Sequence, residues 1–503
     1  MRGKRLASRR PNIILLCVDQ WRGDCLSIEG HPVVHTPWLD QLALGGARFS
    51  RAYSATPTCI AARAALFTGL TQRSHGRVGY KDGVPWRYPV TLAGEFTGYG
   101  YDTIAIGKMH VSPERNRVGF KRVILHDGFL HFGRRKYHKR PAAGDDYLPW
   151  LEKQMGRKAD YFEHGINCNS NVARPWDKPE YTHPSTWVTT QAIEYLRKRE
   201  ARRPFFMFAS WHRPHPPYDP PAWAFEQYLG ADMPPPPIGD WATPERLGAL
   251  SGRPFDGSDG ALHPARPDTS WGRVRPDVLR RARAGYYGHM THIDHQINRL
   301  LEELNDAGIL DNTWVCFVSD HGEMMGDHQF FRKSMPYEGS ARVPLILAGP
   351  RGCGVKPNSV SNHPVELRDV MPTLLECAGL PVPASVEGAS LLSLARGEGV
   401  SARKYIHGEH LAFGNGVHWV TDGSEKYVWW SGTGGEQFFD LATDPAECRD
   451  LALTSDAVPR IERWRAVLAR ELAGREEGFV RDGRLLAGRP LTDTLKFSKA
   501  GGV

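Results

Sequence analysis

The sequence predicts an α/β fold in which helices cover both faces of a mainly parallel central sheet, followed by a smaller C-terminal subdomain with an antiparallel sheet. Several nearly continuous apolar runs have the composition of strands buried on both faces. Segments with helical periodicity separate these runs. After about residue 380, short strand-like runs alternate with Gly-rich turns. We predict two domains, residues 1–385 and residues 386–503.

Five apolar runs are interpreted as parallel strands of the central sheet. They cover residues 12–18, 101–106, 204–210, 313–319 and 343–348. Nearly every side chain in these runs is apolar, as expected when helices pack against both faces of a sheet.

Helices are placed by their start and stop signals. Thr36 is suited to the N-cap and Pro37 to the first turn of one helix. A second helix covers residues 285–307, where apolar side chains form one stripe and Gly308 is the stop signal. A third helix starts near Cys59.

The remaining segments are assigned by composition. The Pro-rich segments 213–221 and 233–239, with the chain up to about residue 276, are predicted to be irregular loops. The C-terminal subdomain is predicted to contain short antiparallel strands followed by one helix. These elements lie at residues 418–420, 427–430 and 437–441 for the strands and 457–472 for the helix.

The composition is that of a globular chain. Of 503 residues, 24% are charged and 41% hydrophobic, which excludes a collagen-like fibre, a coiled coil and a disordered acidic protein. The formal net charge of +8 is diffuse, apart from basic clusters at 1–10, 134–136 and 197–203. Such clusters could contact nucleic acid or acidic lipid. We interpret them as solvated surface and predict neither nucleic acid nor a membrane as a partner.

The sequence also predicts a cytoplasmic location. No apolar run approaches the roughly 20 residues that span a membrane. The N-terminus is basic and then apolar, but it lacks a small-residue cleavage site. The eight cysteines are scattered, without a CxxC pair or a disulfide-like spacing.

Polar side chains follow four of the predicted strands. The strand ends are Asp19-Gln20, Gly107-Lys108-Met109-His110, Trp211-His212-Arg213-Pro214-His215 and Asp320-His321-Gly322-Glu323. In open α/β sheets, ligands bind beyond the carboxyl ends of the strands. The sequence therefore predicts one site that combines metal-ligand side chains with cationic ones.

The first set of side chains suits a divalent cation. Asp19, Gln20, Asp320 and His321 offer oxygen and imidazole ligands; oxygen donors suit Ca²⁺, Mg²⁺ or Mn²⁺, and the histidine favours a transition metal. Alternatively, the two aspartates cap nearby helices or loops.

The second set suits a tetrahedral oxyanion, whose charge needs fixed donors. It consists of Lys108, His110, His212, His215 and Lys333. His212 could instead be structural and Lys333 an exposed lysine.

Cys59 and Arg63 form a local pattern at a helix start. A helix N-terminus favours negative charge and can activate a nucleophile. Arg63 lies one turn further on the same face. The alternative is a buried cysteine without a chemical role.

Cys59-x-Ala61-x-Arg63 followed by Thr68-Gly69 resembles the signature of the type I sulfatases, in the alkaline phosphatase superfamily. Other elements occur in that family's order. They are Asp19-Gln20, Gly107-Lys108-Met109-His110, His212-x-x-His215, Ser319-Asp320-His321-Gly322, Lys333 with Tyr337-Glu338-Gly339, and Phe439-Asp440-Leu441 with Asp444-Pro445.

The resemblance implies an alkaline phosphatase-like fold and a modified nucleophile. In such proteins a separate maturation enzyme oxidises the signature cysteine, here Cys59, to formylglycine, whose hydrate attacks the sulfur of a small sulfate ester. The implied metal ligands are Asp19, Gln20, residue 59, Asp320 and His321, with Ca²⁺ as the first choice and Mn²⁺ or Mg²⁺ as alternatives.

The resemblance also implies roles for the remaining residues. Arg63 holds the hydrate, and His110 assists elimination of sulfate. Lys108 and Lys333 bind the sulfate oxygens, and His215 protonates the leaving group.

The chain departs from the family pattern at several positions. Ala61 stands where many members have Pro, which leaves the maturation enzyme open. Gln20 and His321 stand where many members have Asp and Asn, which weakens the preference for Ca²⁺. The same pair resembles phosphonate monoester and phosphodiester hydrolases of the superfamily, but those enzymes generally lack the element formed here by Lys108 and His110.

Two further questions follow from the resemblance. A non-catalytic sulfatase-like binding protein would be expected to have lost parts of the site, whereas every part is present here. The natural substrate stays open among aryl, sugar and alkyl sulfates. Its pocket could be lined by Arg77, Tyr80, Trp176 and Trp211.

Overall fold

The structure is a computed structural model that describes residues 10–130, 144–253, 255, 270–399 and 403–496. The basic cluster at 134–136 and nearly all of the cluster at 1–10 lie outside the described residues. Within the described residues, no helix is both long enough and apolar enough to cross a bilayer.

An eight-stranded sheet forms the centre of the molecule. Its strands are β1 (Asn12–Asp19), β2 (Ala47–Phe49), β4 (Asp102–Gly107), β5 (Arg122–Leu125), β6 (Phe205–Pro214), β7 (Thr313–Ser319), β9 (Leu345–Ala348) and β10 (Ser359–Ser361). Their order is β10-β2-β9-β7-β1-β6-β4-β5. Strands β7, β1, β6, β4 and β5 run parallel to one another, so the predicted, mainly parallel sheet is confirmed.

Helices and a second, smaller sheet accompany the central sheet. The helices are α1 (Pro37–Leu44), α2 (Cys59–Thr68), α3 (Gln72–His75), α4 (Leu92–Gly98), α5 (Tyr147–Met155), α6 (Pro184–Lys198), α7 (Ala222–Leu229), α8 (Pro244–Ser251), α9 (Pro276–Asp306), α10 (Glu338–Ala341), α11 (Val370–Cys377), α12 (Leu392–Arg396) and α13 (Val458–Leu472). A three-stranded sheet contains β3 (Ala52–Tyr53), β8 (Arg342–Val343) and β11 (Val365–Glu366).

The two faces of β1 show how helices enclose the sheet. Ile14 and Leu16 belong to one buried cluster, which includes side chains of α6 and α9. Ile13 and Leu15 belong to a second cluster, which includes side chains of α2 and α11. Both faces are therefore covered, as the apolar composition of the strand predicts.

One strand prediction is wrong in direction. The run 343–348 was expected to be parallel, but β9 pairs antiparallel with β7 and with β2. Pro344 lies between β8 and β9 and has no amide hydrogen to donate to a ladder, so the run is divided between two sheets. Apolar composition reports burial on both faces and carries no information on strand direction.

Some predicted boundaries also shift. Strand β6 continues to Pro214 and includes the start of the segment predicted to be irregular. Helix α9 begins at Pro276, well before the predicted residue 285. Helices α7 and α8 interrupt the region predicted to be loops.

The C-terminal part has the predicted antiparallel sheet. Its strands are β12 (Ile406–Ala412), β13 (Asn415–Thr421), β14 (Glu425–Trp430) and β15 (Gly435–Asp440), and a hairpin of β16 (Val480–Arg481) and β17 (Arg484–Leu485) follows α13. One face packs against Tyr337 and Trp241, and the other packs against α13 through Ile461 and Trp464. Strand β12 was not predicted.

Candidate active site at the carboxyl edge of the sheet

The four predicted strand ends meet at one edge because β7, β1, β6 and β4 are adjacent and parallel. Asp19 ends β1 and is fully buried. Gln20 follows with a positive φ of 73°, a conformation that non-glycine residues rarely adopt and that is typical of functional sites. Asp320 and His321 follow β7 and are equally buried.

Gln20 is held on three sides. Its backbone amide donates to Asp320 Oδ1 at 3.2 Å. Its side-chain nitrogen donates to Glu323, which fixes the orientation of the amide group. Its side-chain oxygen accepts from Lys333 Nζ at 2.6 Å. The predicted late lysine therefore reaches the same cluster as the predicted metal ligands.

Cys59 is the first residue of α2 and lies at the centre of the cluster. Its Sγ is 3.2 Å from His321 Nε2 and 3.5 and 3.6 Å from the carboxylate oxygens of Asp19. Lys108 Nζ is 3.7 Å away. Burial, together with the Asp19 carboxylate, raises the pKa of the Cys59 thiol to about 11. The unmodified side chain is therefore a neutral thiol near pH 7, which is a weak nucleophile.

The side chains around Cys59 fit a divalent cation. Ligand atoms of Asp19, Cys59, Asp320 and His321 all lie within 4.8 Å of one another, and all four residues are buried. His321 Nδ1 lies 2.9 Å from the Gly322 carbonyl oxygen and is assigned as the donor to it. This assignment leaves the Nε2 lone pair directed at the cluster, as in most metal-binding histidines.

Arg63 connects the predicted metal ligands to the predicted oxyanion donors. It is fully buried, and its Nε donates to Asp320 Oδ2 at 2.9 Å. Its Nη1 donates to the Lys108 carbonyl at 2.6 Å and to Ser210 Oγ at 3.0 Å. Burial would lower the pKa of Arg63, but the Asp320 carboxylate raises it above its usual value, so Arg63 stays charged.

Lys108 forms a buried ion pair with Asp19. Burial would raise the pKa of Asp19, but Lys108, His215, His321 and Lys333 hold it well below its usual value. The Asp19 carboxylate is therefore ionised, which is the form that can bind a metal ion.

His110 lies two residues beyond Lys108, with a positive φ of 54°. Asp127 Oδ1 accepts hydrogen bonds from the backbone amides of Met109 and His110, at 2.7 and 2.9 Å. The His110 ring meets the Tyr80 ring edge-on, with centroids 6.0 Å apart.

His215 follows β6 and enters the same site. Its backbone amide donates to the Asp19 carbonyl at 3.1 Å, and its Nδ1 is 2.8 Å from the Pro216 carbonyl. Its ring stacks on the Phe129 ring, with centroids 5.6 Å apart. Burial, with Lys333 nearby, lowers the pKa of His215 well below its usual value.

His212 is buried and contacts Arg213, with Nδ1 2.6 Å from Nη1. It does not line the cavity above Cys59, in agreement with its structural alternative.

A cavity of about 390 Å³ opens above Cys59. Polar lining residues include Cys59, His110, His215, Arg332 and Lys333. Most of the remaining wall is apolar. Its aromatic members are Tyr80, Phe129, Phe330, Phe331 and Phe413, and Leu411 and Ala412 at the end of β12 also contribute.

Of the four predicted pocket residues, Tyr80 alone lines this cavity. Arg77 is buried over the Trp86 ring at 4.8 Å. Trp211 is buried in the core and donates to the Ser185 carbonyl at 3.2 Å. Trp176 lies against Lys178 and His183. These three predictions are wrong because the sequence does not show which face of a segment a large side chain occupies.

Sequence reasoning missed several contributors to the site. Asp127 holds the backbone at Met109 and His110, and no sequence signal marks it. Glu323, which orients Gln20, was named at the strand end Asp320-His321-Gly322-Glu323 but was given no role. Arg332 precedes Lys333 and lines the cavity.

Comparisons with known proteins agree with this architecture. A sequence model of the sulfatase family matches residues 11–380, and one described as N-sulphoglucosamine sulphohydrolase, C-terminal, matches residues 326–471. An arylsulfatase from Clostridium perfringens (strain 13 / Type A) is 46% identical, over 97% of this chain and 99% of the relative.

Two further relatives differ in the reaction that their names describe. A choline-sulfatase from Rhizobium meliloti (strain 1021) is 29% identical, over 89% of this chain and 83% of the relative. The crystal structure of the phosphonate monoester hydrolase of Agrobacterium radiobacter is 26% identical with a TM-score of 0.71, covering 92% of this chain and 95% of the other. The family model spans well over half of the chain, and the fold has the layers that the resemblance implies. The chain therefore belongs to the sulfatase family, in the alkaline phosphatase superfamily.

Proposed function

We propose that this sulfuric ester hydrolase acts on small sulfate monoesters through a formylglycine formed from Cys59 and one bound divalent cation. The observation that carries the proposal is the buried cluster around Cys59, where two carboxylates, His321, Arg63 and Lys108 surround one side chain. Both a metal ligand set and donors for an oxyanion are present within it.

The unmodified cysteine is unsuited to the reaction. The contact between Cys59 Sγ and His321 Nε2 could suggest a thiolate–imidazolium pair, but burial and the Asp19 carboxylate raise the pKa of the thiol to about 11. Formylglycine, when present, supplies a hydrated aldehyde whose hydroxyl can attack sulfur. This supports oxidation of Cys59 by a separate maturation enzyme.

The divalent cation would be held by Asp19, Gln20, residue 59, Asp320 and His321. Such an ion supplies Lewis acidity and lowers the pKa of a bound hydroxyl. Ca²⁺ is our first choice because every ligand except His321 would offer oxygen once residue 59 is formylglycine, and Mn²⁺ or Mg²⁺ are the alternatives. The imidazole of His321 is the argument for Mn²⁺.

The remaining side chains bind the ester and move protons. Lys108 and Lys333 place their ammonium groups beside Asp19 and Gln20, where they can bind sulfate oxygens. Asp320 is proposed to help deprotonate the attacking hydroxyl, and Arg63 holds its carboxylate beside residue 59. His110 assists the release of sulfate.

His215 is proposed to protonate the leaving oxygen. With Nδ1 bonded to the Pro216 carbonyl, its Nε2 is the atom that carries this proton. Its lowered pKa means that it is neutral in the ligand-free site. The negative charge of a bound ester favours protonation, so the acid forms when the substrate is present.

The cavity wall supports a flat, apolar framework as the body of the alcohol. Five aromatic rings line it, and the described lining residues include neither Asp nor Glu. A cationic alcohol such as choline would lack a counter-ion there. We therefore favour aryl over choline esters, although sugar and alkyl sulfates with apolar faces remain substrates to test.

A phosphonate monoesterase activity is the second candidate. Gln20 and His321 support it, and so does the solved relative described above. Lys108 and His110 support sulfate. The inferred cytoplasmic location and the boundary at 385/386 stay predictions.

The test is a ratio of kcat/KM values for 4-nitrophenyl sulfate and a 4-nitrophenyl phosphonate monoester. The protein is co-expressed with a formylglycine-generating enzyme, and the mass of tryptic peptide 52–63 reports conversion of Cys59. We expect a ratio well above one, and loss of both activities in Cys59→Ala. A ratio well below one would identify a phosphonate hydrolase, and full activity in Cys59→Ala would exclude residue 59 as the nucleophile.

A further inference from the structure

Arg332, in the wall of the cavity above Cys59, has donors that nothing in the described structure accepts. It directly precedes Lys333, and both residues line the cavity. Its Nε and Nη2 atoms are buried and have no hydrogen-bond partner among the residues that the structure describes. A buried polar group without a partner costs free energy, and a charged one costs most. The two donors therefore point to a ligand.

The two unpartnered atoms form one edge of the guanidinium, and carboxylates bind that edge elsewhere in this protein. Arg213 donates from Nε and Nη2 to the two oxygens of Asp219, at 2.8 and 2.9 Å. Arg465 donates in the same way to Glu436, at 2.7 and 2.8 Å. This edge recognises oxyanions by two parallel hydrogen bonds. The open edge of Arg332 thus has the shape for a carboxylate, sulfate or phosphate group.

The backbone of Arg332 is fixed in an unfavourable conformation. Its φ is 70°, in the left-handed region that non-glycine residues seldom occupy. Its amide donates to Glu323, and its carbonyl accepts from the Met324 amide at 2.8 Å. Strain of this kind persists where surrounding contacts enforce it, and it clusters at ligand sites.

The proposed function gives no role to the positive charge of Arg332. The proposed function assigns Lys333, together with Lys108, to the sulfate group that is cleaved. Among the described residues that line the cavity there is no carboxylate that could neutralise Arg332. A second anionic group on the ligand would supply the missing partner.

We propose that Arg332 binds a second anionic group, carried by the alcohol part of the substrate. The proposal rests on the proposed sulfatase activity and narrows its substrates to sulfate esters that also bear a carboxylate, a second sulfate or a phosphate. The aromatic wall packs against the body that connects the two anionic groups.

The test compares phenyl sulfate with 3- and 4-carboxyphenyl sulfate and with 1,4-phenylene bis-sulfate. For each, kcat/KM is divided by the phenyl sulfate value in the same variant, and the ratio is compared between wild type and Arg332→Asn. Asn tolerates a positive φ and removes the guanidinium. We expect the ratio for at least one dianionic ester to fall about 10- to 100-fold, the range for charged hydrogen bonds. The dianionic ester whose kcat/KM ratio falls most identifies the chemical class of the second anionic group.

Two controls accompany the kinetics. Arg332→Lys keeps the positive charge but lacks the two parallel donors of the guanidinium edge. Its kcat/KM ratio should lie between those of wild type and Arg332→Asn. Arg368→Asn should keep the wild-type ratio, since Arg368 also has a buried, unpartnered Nε but lies outside this cavity.

Binding is measured separately by calorimetry with benzenesulfonate and 4-sulfobenzoate, which cannot be hydrolysed. The proposal is supported if wild type binds 4-sulfobenzoate more tightly than benzenesulfonate and Arg332→Asn does not. Equal ratios and equal binding in the two proteins overturn it. Failure of the proposed function has a different signature, because converted wild-type protein would then release no sulfate from any ester.

Discussion

At the scale of single residues, the candidate site depends on side chains that hold other side chains. Glu323 is the main example: its Oε2 accepts from the Gln20 side chain, and its Oε1 accepts from the amides of Met325 and Arg332. The Gln20 oxygen is thereby left for Lys333 or for a metal. Such supporting groups tune metal affinity almost as strongly as the ligands do.

Glu323→Gln is expected to lower divalent metal affinity about 10- to 100-fold. The new amide cannot accept from Gln20 and from both backbone amides at once, so the Gln20 side chain is released. Chelator competition with Mn²⁺ or Ca²⁺ measures the effect. Glu303→Gln, which removes the ion-pair partner of the exposed Arg197, should leave the affinity unchanged. Unchanged affinity in Glu323→Gln would show that Gln20 is not a ligand.

The site residues that were predicted from the sequence belong to short motifs whose side chains have recognisable chemistry. Asp19 and Asp320 come together because parallel strands deliver their carboxyl ends to one edge, and helix α2 brings Cys59 and Arg63 to them. Asp127 could not be predicted, because its role depends on where two backbone amides point in the folded chain.

At the scale of elements, strands and helices were predicted from the pattern of apolar residues along the chain. The predictions failed for features that this pattern does not report. Strand β9 was predicted, but its direction was not. Strand β12 was missed because its sequence contains His407, Gly408, Glu409 and His410, which break the apolar pattern of a strand. Of these residues, Glu409 is buried with Arg475, a partner from a distant segment that the sequence does not reveal.

Glu409 illustrates this and gives a pH prediction. Arg475 Nη1 donates to both oxygens of its carboxylate, at 2.8 and 3.0 Å, and joins β12 to the segment after α13. Burial opposes ionisation of Glu409, but Arg475, His418 and His407 lower its pKa to about 2. The carboxylate is therefore easier to ionise in the folded protein than in the unfolded chain. Its contribution to stability is complete above a pH of about 4.5 and is lost as the pH falls towards 2.

Glu409→Gln should lower the free energy of unfolding by ~2 kcal/mol at pH 7, because Gln keeps one acceptor oxygen and Arg475 keeps Glu477. Denaturant melts between pH 7 and pH 3 should also show a smaller loss of stability on acidification than wild type shows. An identical pH dependence in the two proteins would contradict the assignment.

At the scale of the whole molecule, the site lies among strands that are far apart in sequence. Asp19 and Asp320 are both fully buried, and burying charges is costly unless they are paired. A cation bound only by the folded chain stabilises it in proportion to the logarithm of its concentration. Metal binding and folding should therefore be linked.

Chelator-treated protein is expected to melt at a lower temperature than metal-loaded protein, with the midpoint rising as free Ca²⁺ or Mn²⁺ increases. At one hundred times the dissociation constant, the stabilisation is about 2.7 kcal/mol. Asp320→Asn should lose this concentration dependence. If the dependence persisted in that variant, the ion would bind elsewhere.

The cavity wall is assembled from two sources. Cys59, His110 and His215 follow or flank the central sheet, whereas Leu411, Ala412 and Phe413 come from the end of β12 and the turn after it. Sequence changes in that strand and turn can alter which alcohol is accepted without touching the groups that face sulfur. Selectivity and reactivity can thus evolve independently in this chain, and exchanging the β12–β13 hairpin between relatives is a direct route to new ester preferences.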